Sequence, residues 1–181
     1  HAHALILRRW CMFPDLKPRG LVTLISRQST TFYSGMFPGL IARDYNIDEV
    51  QINLRSLSRQ AGVALIIAEI TGLNLDKYSI EIENRPSIPF QRISLDVGSD
   101  IRIDQEFIQS NSGKLIIPIK PFDRAFRWIR EQDKVSSFDH KQIITVIGSG
   151  FSAVEVALAL RSRWPLRPIQ IQADLDKLKP Q

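Results

Sequence analysis

Apolar and polar positions along the chain predict helices and strands that alternate, with a run of strands in the middle. Apolar residues that recur every three or four positions predict helices at 1–10, 54–61 and 122–130. Clustered or alternating β-branched residues predict strands at 20–25, 63–67, 79–83, 92–97, 143–147 and 168–172. The strict alternation at 79–83 is typical of an exposed strand, whereas the runs at 63–67 and 143–147 are typical of buried ones. This order predicts an α/β fold with a parallel sheet and an inserted antiparallel β-meander.

Boundary signals support the helix at 54–61. Asn53 precedes it as an N-cap, because its side chain can accept a hydrogen bond from a backbone N–H of the first turn. Gly62 follows it as a stop, because glycine readily takes the left-handed conformation that ends many helices.

The stretch 141–160 carries the clearest motif of the chain. A β-branched strand runs into Gly148, Gly150 and Ala153, which fit the pattern G-x-G-x-x-G/A, and a helix follows. Gly148 permits the tight turn, Gly150 lets the backbone approach a pyrophosphate, and Ala153 lets the helix pack closely on the strand. The start of the helix offers backbone N–H groups to phosphate oxygens. The motif predicts a dinucleotide site; glycines that merely close a βα turn, or a methyltransferase-like site for another adenosine ligand, are the alternatives.

An acid about 20 residues beyond such glycines usually binds the adenosine ribose. Asp174 is the candidate, and Gln172, at the end of the strand predicted at 168–172, is a neutral alternative. The sequence therefore does not distinguish NADH from NADPH.

The segment 27–42 is too long and too rich in glycine, proline and aromatic residues for a simple connection. Gly35 and Gly39 would let the backbone approach a flat ligand, and Pro38 would hold a turn rigid. We predict a cofactor or substrate loop; a compact loop that buries its own aromatic side chains is the alternative.

Two segments separate this loop region from the glycine motif. Residues 99–118 are polar and irregular, which predicts a crossing linker or a surface loop. The helix at 122–130 is expected to turn its phenylalanines inward. Its arginines, Arg124, Arg127 and Arg130, are expected to form a solvated face rather than a phosphate site.

Composition excludes several classes of protein. The 181 residues are 44% hydrophobic and 24% charged, which is ordinary for a globular protein. Cys11, the single cysteine, cannot form an internal disulfide or a redox pair, so redox chemistry would need a cofactor. The net charge of +5 suits phosphate-rich ligands or an anionic membrane surface, but no nucleic-acid-binding motif accompanies it. No transmembrane run or signal peptide is recognisable, so a cytoplasmic protein is expected.

The chain opens inside a helical pattern without a capping residue. We therefore expect the first strand and glycine turn of a β-α-β unit to lie upstream of residue 1. His1 and His3 form an H-x-H pair, but without other nearby ligands a polar helix start is preferred to a metal site.

Five segments together resemble one family of flavoproteins: HAHALILRRW, YSGMFPGLIA, ISLDVGS, IPIKPF and VIGSGFSAVEVALAL. Their order is similar to that in the pyridine nucleotide-disulfide oxidoreductase superfamily and its type II NADH dehydrogenase branch. A nearer resemblance is to the FAD-containing NADH dehydrogenase-like domain fused to selenide, water dikinase in some bacteria. The resemblance covers essentially the whole chain. It implies a Rossmann-like two-dinucleotide-binding-domain flavoprotein fragment, with an FAD-binding domain over 1–100, a linker and crossing helix over 101–140, and the start of an NAD(P)H-binding domain over 141–181.

The resemblance also implies a role for individual residues. The start of the first helix would face the FAD phosphates through the backbone of His1, Ala2 and His3, and Ser26 stands at the strand end that usually binds the ribose. The loop beside the isoalloxazine would comprise Tyr33, Ser34, Gly35, Met36, Pro38 and Gly39. The turn that closes over FAD would comprise Asp96, Gly98 and Ser99. NAD(P)H would be bound by Gly148, Gly150 and Ala153, with Asp174 as the ribose candidate.

The resemblance implies a catalytic role for Pro38, in the loop beside the isoalloxazine, and for Glu155, which would lie toward the place where the nicotinamide meets the flavin. Glu155 has an alternative interpretation as an ordinary acid of the first helical turn, where the helix dipole favours negative charge.

The implied reaction is hydride transfer from NAD(P)H to the flavin, and then to an external acceptor such as a quinone or a selenium or sulfur species. Cys11, in a helix that faces the core, cannot relay electrons as cysteines do in disulfide reductases. The implied partner is a fused or associated selenide, water dikinase domain. The alternative function is a nucleotide-binding or scaffold domain that has lost catalysis, which the missing first glycines and Ser26 favour.

Overall fold

The computed structural model describes residues 2–99, 101, 103, 105–135 and 142–173. The chain divides into two compact units that interleave along the sequence. Unit 1 comprises residues 1–31 and 51–98, and unit 2 comprises residues 32–50 and 99–181. Residues 32–50 therefore cluster with the later part of the chain, while the domain bounds that the resemblance implies stay a prediction.

Helices and strands alternate along much of the chain. The helices are α1 (Ala2–Met12), α2 (Phe37–Ala42), α3 (Ile47–Val50), α4 (Leu54–Gln60), α5 (Gln105–Ser110), α6 (Phe122–Asp133) and α7 (Phe151–Arg163). The strands are β1 (Thr23–Ser26), β2 (Thr30–Phe32), β3 (Gln51–Asn53), β4 (Ala64–Ile67), β5 (Ile70–Asn74), β6 (Ser79–Ile82), β7 (Arg85–Pro89), β8 (Ile144–Ile147) and β9 (Ile169–Gln172). Short 3-10 helices lie at Pro14–Leu16 and Ser34–Met36. Parallel pairs β1–β4 and β8–β9 accompany an antiparallel sheet β5–β6–β7, which confirms the predicted α/β class with a meander.

Unit 1 contains a parallel strand pair with its crossover helix. β1 and β4 pair from Thr23↔Ala64 to Ser26↔Ile67, and α4 connects back to β4. α1 packs against α4, and Leu7, Ala61 and Val63 form the small core. The helix predicted at the start of the chain is confirmed, but Leu5 is 60% exposed, because the buried face of α1 is set by Ala4 and Leu7 three positions apart. The strand predicted as buried at 63–67 is only half-buried along β4.

The capping signals of α4 are confirmed. The Oδ1 atom of Asn53 accepts a hydrogen bond of 2.9 Å from the backbone N–H of Ser56. Gly62 has a φ of +63°, the left-handed conformation in which glycine is favoured. The helix therefore begins and ends where its local sequence predicts.

Replacing Asn53 with alanine is expected to lower the free energy of unfolding by about 1 kcal/mol, because the Ser56 N–H loses its acceptor. Urea unfolding at pH 7 measures this change. Arg55→Ala, an exposed substitution in the same helix, is the matched control and should stay within about 0.5 kcal/mol of the parent. Equal stability of the two variants would show that the cap contributes nothing.

The antiparallel meander departs from the sequence prediction in two places. The strand at 79–83, predicted to be exposed, is the central strand β6. Ile80 and Ile82 are buried and Glu81 between them is exposed, because alternate side chains point to opposite faces of the sheet. The strand predicted at 92–97 is wrong, since this segment forms no strand and Val97 is 82% exposed. Its alternating residues have no partner strand in the described part of the chain. Ser94 and Asp96 instead contact the start of α1.

Unit 2 has a helical core beside the second parallel pair. α2 packs against α7 and α6, and the core includes Phe37, Ile41, Phe126 and Ile129. The exposed arginines of α6 confirm its predicted solvated face. The strand at 143–147, predicted as buried, is half-buried along β8, because in the described residues it pairs only with β9.

The segment 99–118 is more regular than predicted, because α5 forms within it. The Nδ2 atom of Asn111 donates a hydrogen bond of 3.0 Å to the carbonyl of Phe107, in the last turn of this helix. Asn111 is itself only 5% exposed. A buried local side-chain contact thus ends a helix that the polar sequence did not indicate.

Candidate functional site

The predicted dinucleotide motif forms a turn between β8 and α7. Gly148 follows β8 with a φ of +151°, and a Cβ placed on it would lie 3.1 Å from the Cβ of Ala153. These two small residues therefore allow the first turn of the helix to lie close to the end of the strand. Gly148 is needed by the fold itself, whether or not a ligand binds.

Gly150 differs from Gly148 in what surrounds it. It is the N-cap of α7, with a φ of −88° that other residues adopt, and no side chain caps the helix there. A Cβ placed on Gly150 would meet no atom of the described residues within 4 Å. Packing therefore gives no reason for glycine at this position. A ligand bound at the positive end of this thirteen-residue helix would be a reason for glycine here, because the open space would admit it.

Gln172 lies beside this turn at the carboxyl end of the sheet. β8 and β9 pair in parallel with Ile147 opposite Gln172, and the Gly148 N–H donates to the Gln172 carbonyl at 2.9 Å. In open parallel sheets this edge is where ligands bind. Asp174, the acidic candidate for the ribose, lies outside the described residues.

Glu155 is exposed on α7. It is the fifth residue of the helix, and the first turn holds no acidic residue, so its interpretation as a first-turn acid is wrong. A position near the nicotinamide stays a prediction.

The start of α1 brings together two groups that were predicted separately to contact FAD. The backbone N–H of His3 donates to the Oδ2 atom of Asp96 at 3.0 Å, and the Nε2 atom of His3 lies 2.9 Å from the Oγ atom of Ser94. A carboxylate at a helix N-terminus is favoured because the backbone N–H groups and the dipole attract negative charge. This position of unit 1 thus holds an anionic group. Ala2 begins α1, and His1 lies outside the described residues.

The other predicted FAD contacts of unit 1 lie at strand and turn ends. Ser26 ends β1, and its Oγ atom accepts a hydrogen bond of 3.4 Å from the N–H of Gln28. Arg27 forms an exposed ion pair of 3.7 Å with Glu69. Gly98 has a φ of +73°, a left-handed conformation in which glycine is favoured. Ser99 belongs to unit 2, where its Oγ atom lies 2.5 Å from the Nζ atom of Lys120.

The segment predicted as a flavin loop is largely helical. Ser34–Met36 form a 3-10 helix and α2 follows directly, so Pro38 lies in the first turn of a helix and not in an irregular turn. This position suits proline, whose missing N–H has no helical partner there in any case. The irregular loop expected over 27–42 is therefore wrong in its local structure.

Tyrosine rings occupy the space beside both glycines of this segment. A Cβ on Gly39 would lie 2.5 Å from the Tyr45 ring, and a Cβ on Gly35 would lie 3.3 Å from the Tyr33 ring. Phe37 is 1% exposed and packs edge to face with Phe32 at 6.2 Å. This packing agrees with the alternative of a compact segment that buries its own aromatics. A flavin role stays a prediction for Tyr33, Ser34, Gly35, Met36, Pro38 and Gly39.

A charged cluster that no sequence pattern indicated is centred on Asp133, the last residue of α6. Its Oδ1 atom accepts hydrogen bonds from Arg43 and Arg163 at 3.0 Å and from the Trp164 indole at 2.9 Å. Its Oδ2 atom accepts a further hydrogen bond from Arg163. Burial alone would raise the pKa of Asp133, but the hydrogen bonds and the two arginine charges outweigh it and hold the pKa at about 2. The partners lie 30 and 90 residues away in the chain, so no local pattern announces the cluster.

The described residues contain neither a candidate metal site nor a helix that could span a membrane. In the part of the chain that the structure describes, no group of three or more His, Cys, Asp or Glu side chains could hold a metal ion. Among the same residues, each helix is too short or too polar to span a bilayer.

Comparison with known proteins gives a match at the level of fold. No protein-family model and no curated protein matches the chain. Solved structures that match include reduced CoADR-RHD from Bacillus anthracis, with a TM-score of 0.68, 17% identity, and coverage of 93% of this chain and 29% of that one. NDH2 from Plasmodium falciparum in complex with NADH has a TM-score of 0.63 and 17% identity, and the match covers 84% of this chain and 37% of that one. NADH:rubredoxin oxidoreductase from Clostridium acetobutylicum has a TM-score of 0.59 and 17% identity, and the match covers 83% of this chain and 37% of that one.

The chain has the fold of Rossmann-like flavoprotein domains. This confirms the predicted fold class. The chain spans about a third of the length of these proteins, between 29% and 37% in the three structures.

Proposed function

We propose that this chain is the nucleotide-binding part of an FAD-dependent NAD(P)H oxidoreductase. The observation that carries the proposal is Gly150, a glycine that packing does not require, at the open start of α7. Gln172 lies at the same sheet edge, where the ribose of a bound dinucleotide would lie. The solved structures of similar fold include one in complex with NADH and one named for its use of NADH. The predicted cofactors, FAD and NAD(P)H, agree with this group of oxidoreductases.

Each unit would contribute a helix start to cofactor binding. In unit 2, the first backbone N–H groups of α7 would bind the NAD(P)H pyrophosphate, with Gln172 offering an amide to a ribose hydroxyl. In unit 1, Ala2 and His3 at the start of α1 would face the FAD phosphates, and a phosphate there would replace the Asp96 carboxylate that the His3 N–H binds in the structure. The cofactors would supply the redox chemistry, and the protein would supply binding and orientation.

The electron acceptor is proposed to be external to the chain. Cys11 is the single cysteine, so this sequence offers no second thiol for a disulfide relay. Its Sγ atom donates to the carbonyl of Leu57 at 3.7 Å beside the unit 1 core. A quinone or a selenium or sulfur species is the proposed acceptor. Service to selenide, water dikinase and a cytoplasmic location are further parts of the proposal, and they rest on the sequence alone.

Anaerobic titration of the FAD-loaded, full-length protein with NADH and with NADPH tests the proposal. We expect the visible flavin absorbance to bleach with at least one of the two nucleotides, and to return when oxygen or a soluble quinone is added. A protein that takes up FAD but does not bleach with either nucleotide would contradict hydride transfer. Parallel titrations also decide which nucleotide is preferred.

The alternative of a scaffold domain without catalysis is favoured by one observation. Tyr33 and Tyr45 fill the space beside Gly35 and Gly39, where a flat cofactor was predicted to approach. Reconstitution separates the two functions. A purified full-length protein that remains colourless after incubation with excess FAD would be the scaffold and not the flavoenzyme.

A further inference from the structure

The outward side of α1 carries large apolar residues as well as charge. The helix has an inward stripe, which includes the buried Ala4 and Leu7. Its outward stripe consists, at spacings of three and four residues, of Leu5, Arg8, Arg9 and Met12. Leu5 and Met12 are each more than half exposed. The outward side of a surface helix is ordinarily polar, and packing within the described residues covers neither of these two side chains.

The exposed apolar residues continue beyond the end of α1. The backbone N–H of Phe13 donates to the carbonyl of Arg9 at 2.8 Å, and the N–H of Leu16 donates to the carbonyl of Phe13 at 3.1 Å. Phe13 and Leu16 are also more than half exposed. Single exposed apolar residues are common, but four large ones within twelve residues are typical of an interaction site. We define the α1 surface as Leu5, Arg8, Arg9, Met12, Phe13 and Leu16.

The positive charge of unit 1 is concentrated around this surface. Residues 2–22, together with α4, which packs against α1, hold six basic residues and one acidic residue. The other described residues of unit 1 hold four basic residues and five acidic ones. Five arginines are exposed and form no ion pair with another residue that the structure describes: Arg8, Arg9, Arg19, Arg55 and Arg59. Their charge is therefore available to an anionic partner.

Charge complementarity indicates which partner covers the α1 surface. A symmetric contact with a second copy of the chain would bring arginines against arginines, which is unfavourable. An anionic bilayer has the complementary charge. Its interface also accepts leucine, methionine and phenylalanine side chains beside basic residues. Arginine suits this boundary, because its long stem covers apolar surface while its planar donors bind phosphate oxygens.

We propose that the α1 surface binds the face of an anionic membrane, with α1 lying in the plane of the interface. Leu5, Met12 and Phe13 enter the boundary between the headgroups and the acyl chains, and Arg8 and Arg9 bind lipid phosphates. The contact is peripheral, because it uses one side of a helix. It does not depend on the proposed oxidoreductase function, since no cofactor takes part in it.

Co-flotation of the 181-residue protein with lipid vesicles tests the contact. Vesicles of equal parts phosphatidylcholine and phosphatidylglycerol should bind the protein at least about tenfold more tightly than vesicles of phosphatidylcholine alone. Added sodium chloride should weaken this binding, because it screens the arginine charges. Equal binding to the two kinds of vesicle would overturn the proposal. Binding to neither would also overturn it, and an acidic protein would then be the better candidate partner.

A matched pair of double variants locates the charge that binds. Arg8→Gln combined with Arg9→Gln should weaken binding to the anionic vesicles about 25-fold, at about fivefold for each arginine. Arg124→Gln combined with Arg127→Gln removes the same charge from the exposed face of α6 and should weaken binding less than about twofold. Equal losses in the two double variants would show that binding follows net charge alone, which contradicts a site on α1.

A second pair of variants tests the apolar part of the contact. Leu5→Gln should weaken binding to the anionic vesicles about tenfold, because its side chain no longer gains from leaving water. Leu75→Gln, in the turn after β5, is the control, since Leu75 is also more than half exposed but lies outside the α1 surface. If the two variants bind equally, then Leu5 does not enter the membrane and the proposal is wrong. All the substituted residues are exposed, so each variant should keep the Tm of the parent.

Discussion

Replacing Gly148 with valine is expected to weaken NADH binding about 100-fold or more and to lower the free energy of unfolding by about 2 to 4 kcal/mol. A β-branched residue is strained at a φ of +151°, and its Cβ would press on Ala153 at 3.1 Å. The start of α7 must then move away from β8. One or two charge-assisted hydrogen bonds to a pyrophosphate would be lost, which corresponds to the predicted change in affinity. Isothermal titration with NADH and urea unfolding measure the two effects.

A second glycine distinguishes a ligand effect from a folding effect. Gly150→Ala should cost less stability than Gly148→Val, at most about 1 kcal/mol for replacing a favoured N-cap residue by alanine, because its Cβ meets nothing within 4 Å among the described residues. It should nevertheless weaken NADH binding. Gly113→Ala is the control, since its Cβ also meets nothing within that distance and it lies outside the motif. If Gly150→Ala binds NADH as tightly as Gly113→Ala, then the open glycine does not serve a dinucleotide.

Replacing Asp133 with alanine is expected to lower the free energy of unfolding by about 3 to 5 kcal/mol at pH 7. The Arg163 guanidinium, 5% exposed, would lose the carboxylate that neutralises it, and the Trp164 indole would lose its acceptor. Glu131→Ala is the matched control, because it removes an exposed acid from the same helix and should change the stability by less than about 0.5 kcal/mol. Similar losses in the two variants would show that Asp133 is not the centre of the cluster.

The same cluster predicts how stability depends on pH. The pKa of Asp133 is lowered from 3.8 to about 2, so the charged form is favoured in the folded state. Its contribution, about 1 kcal/mol once solvent screening of this partly exposed carboxylate is included, is present above pH 4 and is lost as the pH falls toward 2, because the unfolded state takes up the proton first. The difference between the parent and Asp133→Ala should therefore shrink between pH 4 and pH 2. A constant difference across that range would contradict the assigned pKa.

Local sequence signals predicted the features that depend on few neighbours. Asn53 and Gly62 marked the ends of α4 because a cap and a left-handed stop act within one helical turn. Gly148 and Ala153 marked the βα turn because their contact spans five residues. In both cases the interacting residues lie close together in the sequence, so the local pattern contains both of them.

Features that depend on distant partners were predicted poorly. The alternation at 92–97 looked like a strand, yet a strand needs a neighbour, and this segment instead contacts His3 at the other end of unit 1's sequence. Asp133 gave no signal because its partners are Arg43, which follows α2, and Arg163, at the end of α7, rather than residues of its own helix. The flavin role of Gly35 and Gly39 stays a prediction, but the position of the Tyr45 ring beside Gly39 was not indicated by the local sequence.

The interleaving of the two units limits how the protein can be dissected. The chain passes between them at 31–32, 50–51 and 98–99, so unit 1 is discontinuous in sequence. A fragment that stops at residue 98 would hold all of unit 1, but it would also carry α2 and α3 without their partners α6 and α7. Phe37, Leu40 and Ile41, at most 3% exposed in the structure, would then face water. Residues 32–50 thus make the solubility of the first half of the chain depend on the synthesis of the second.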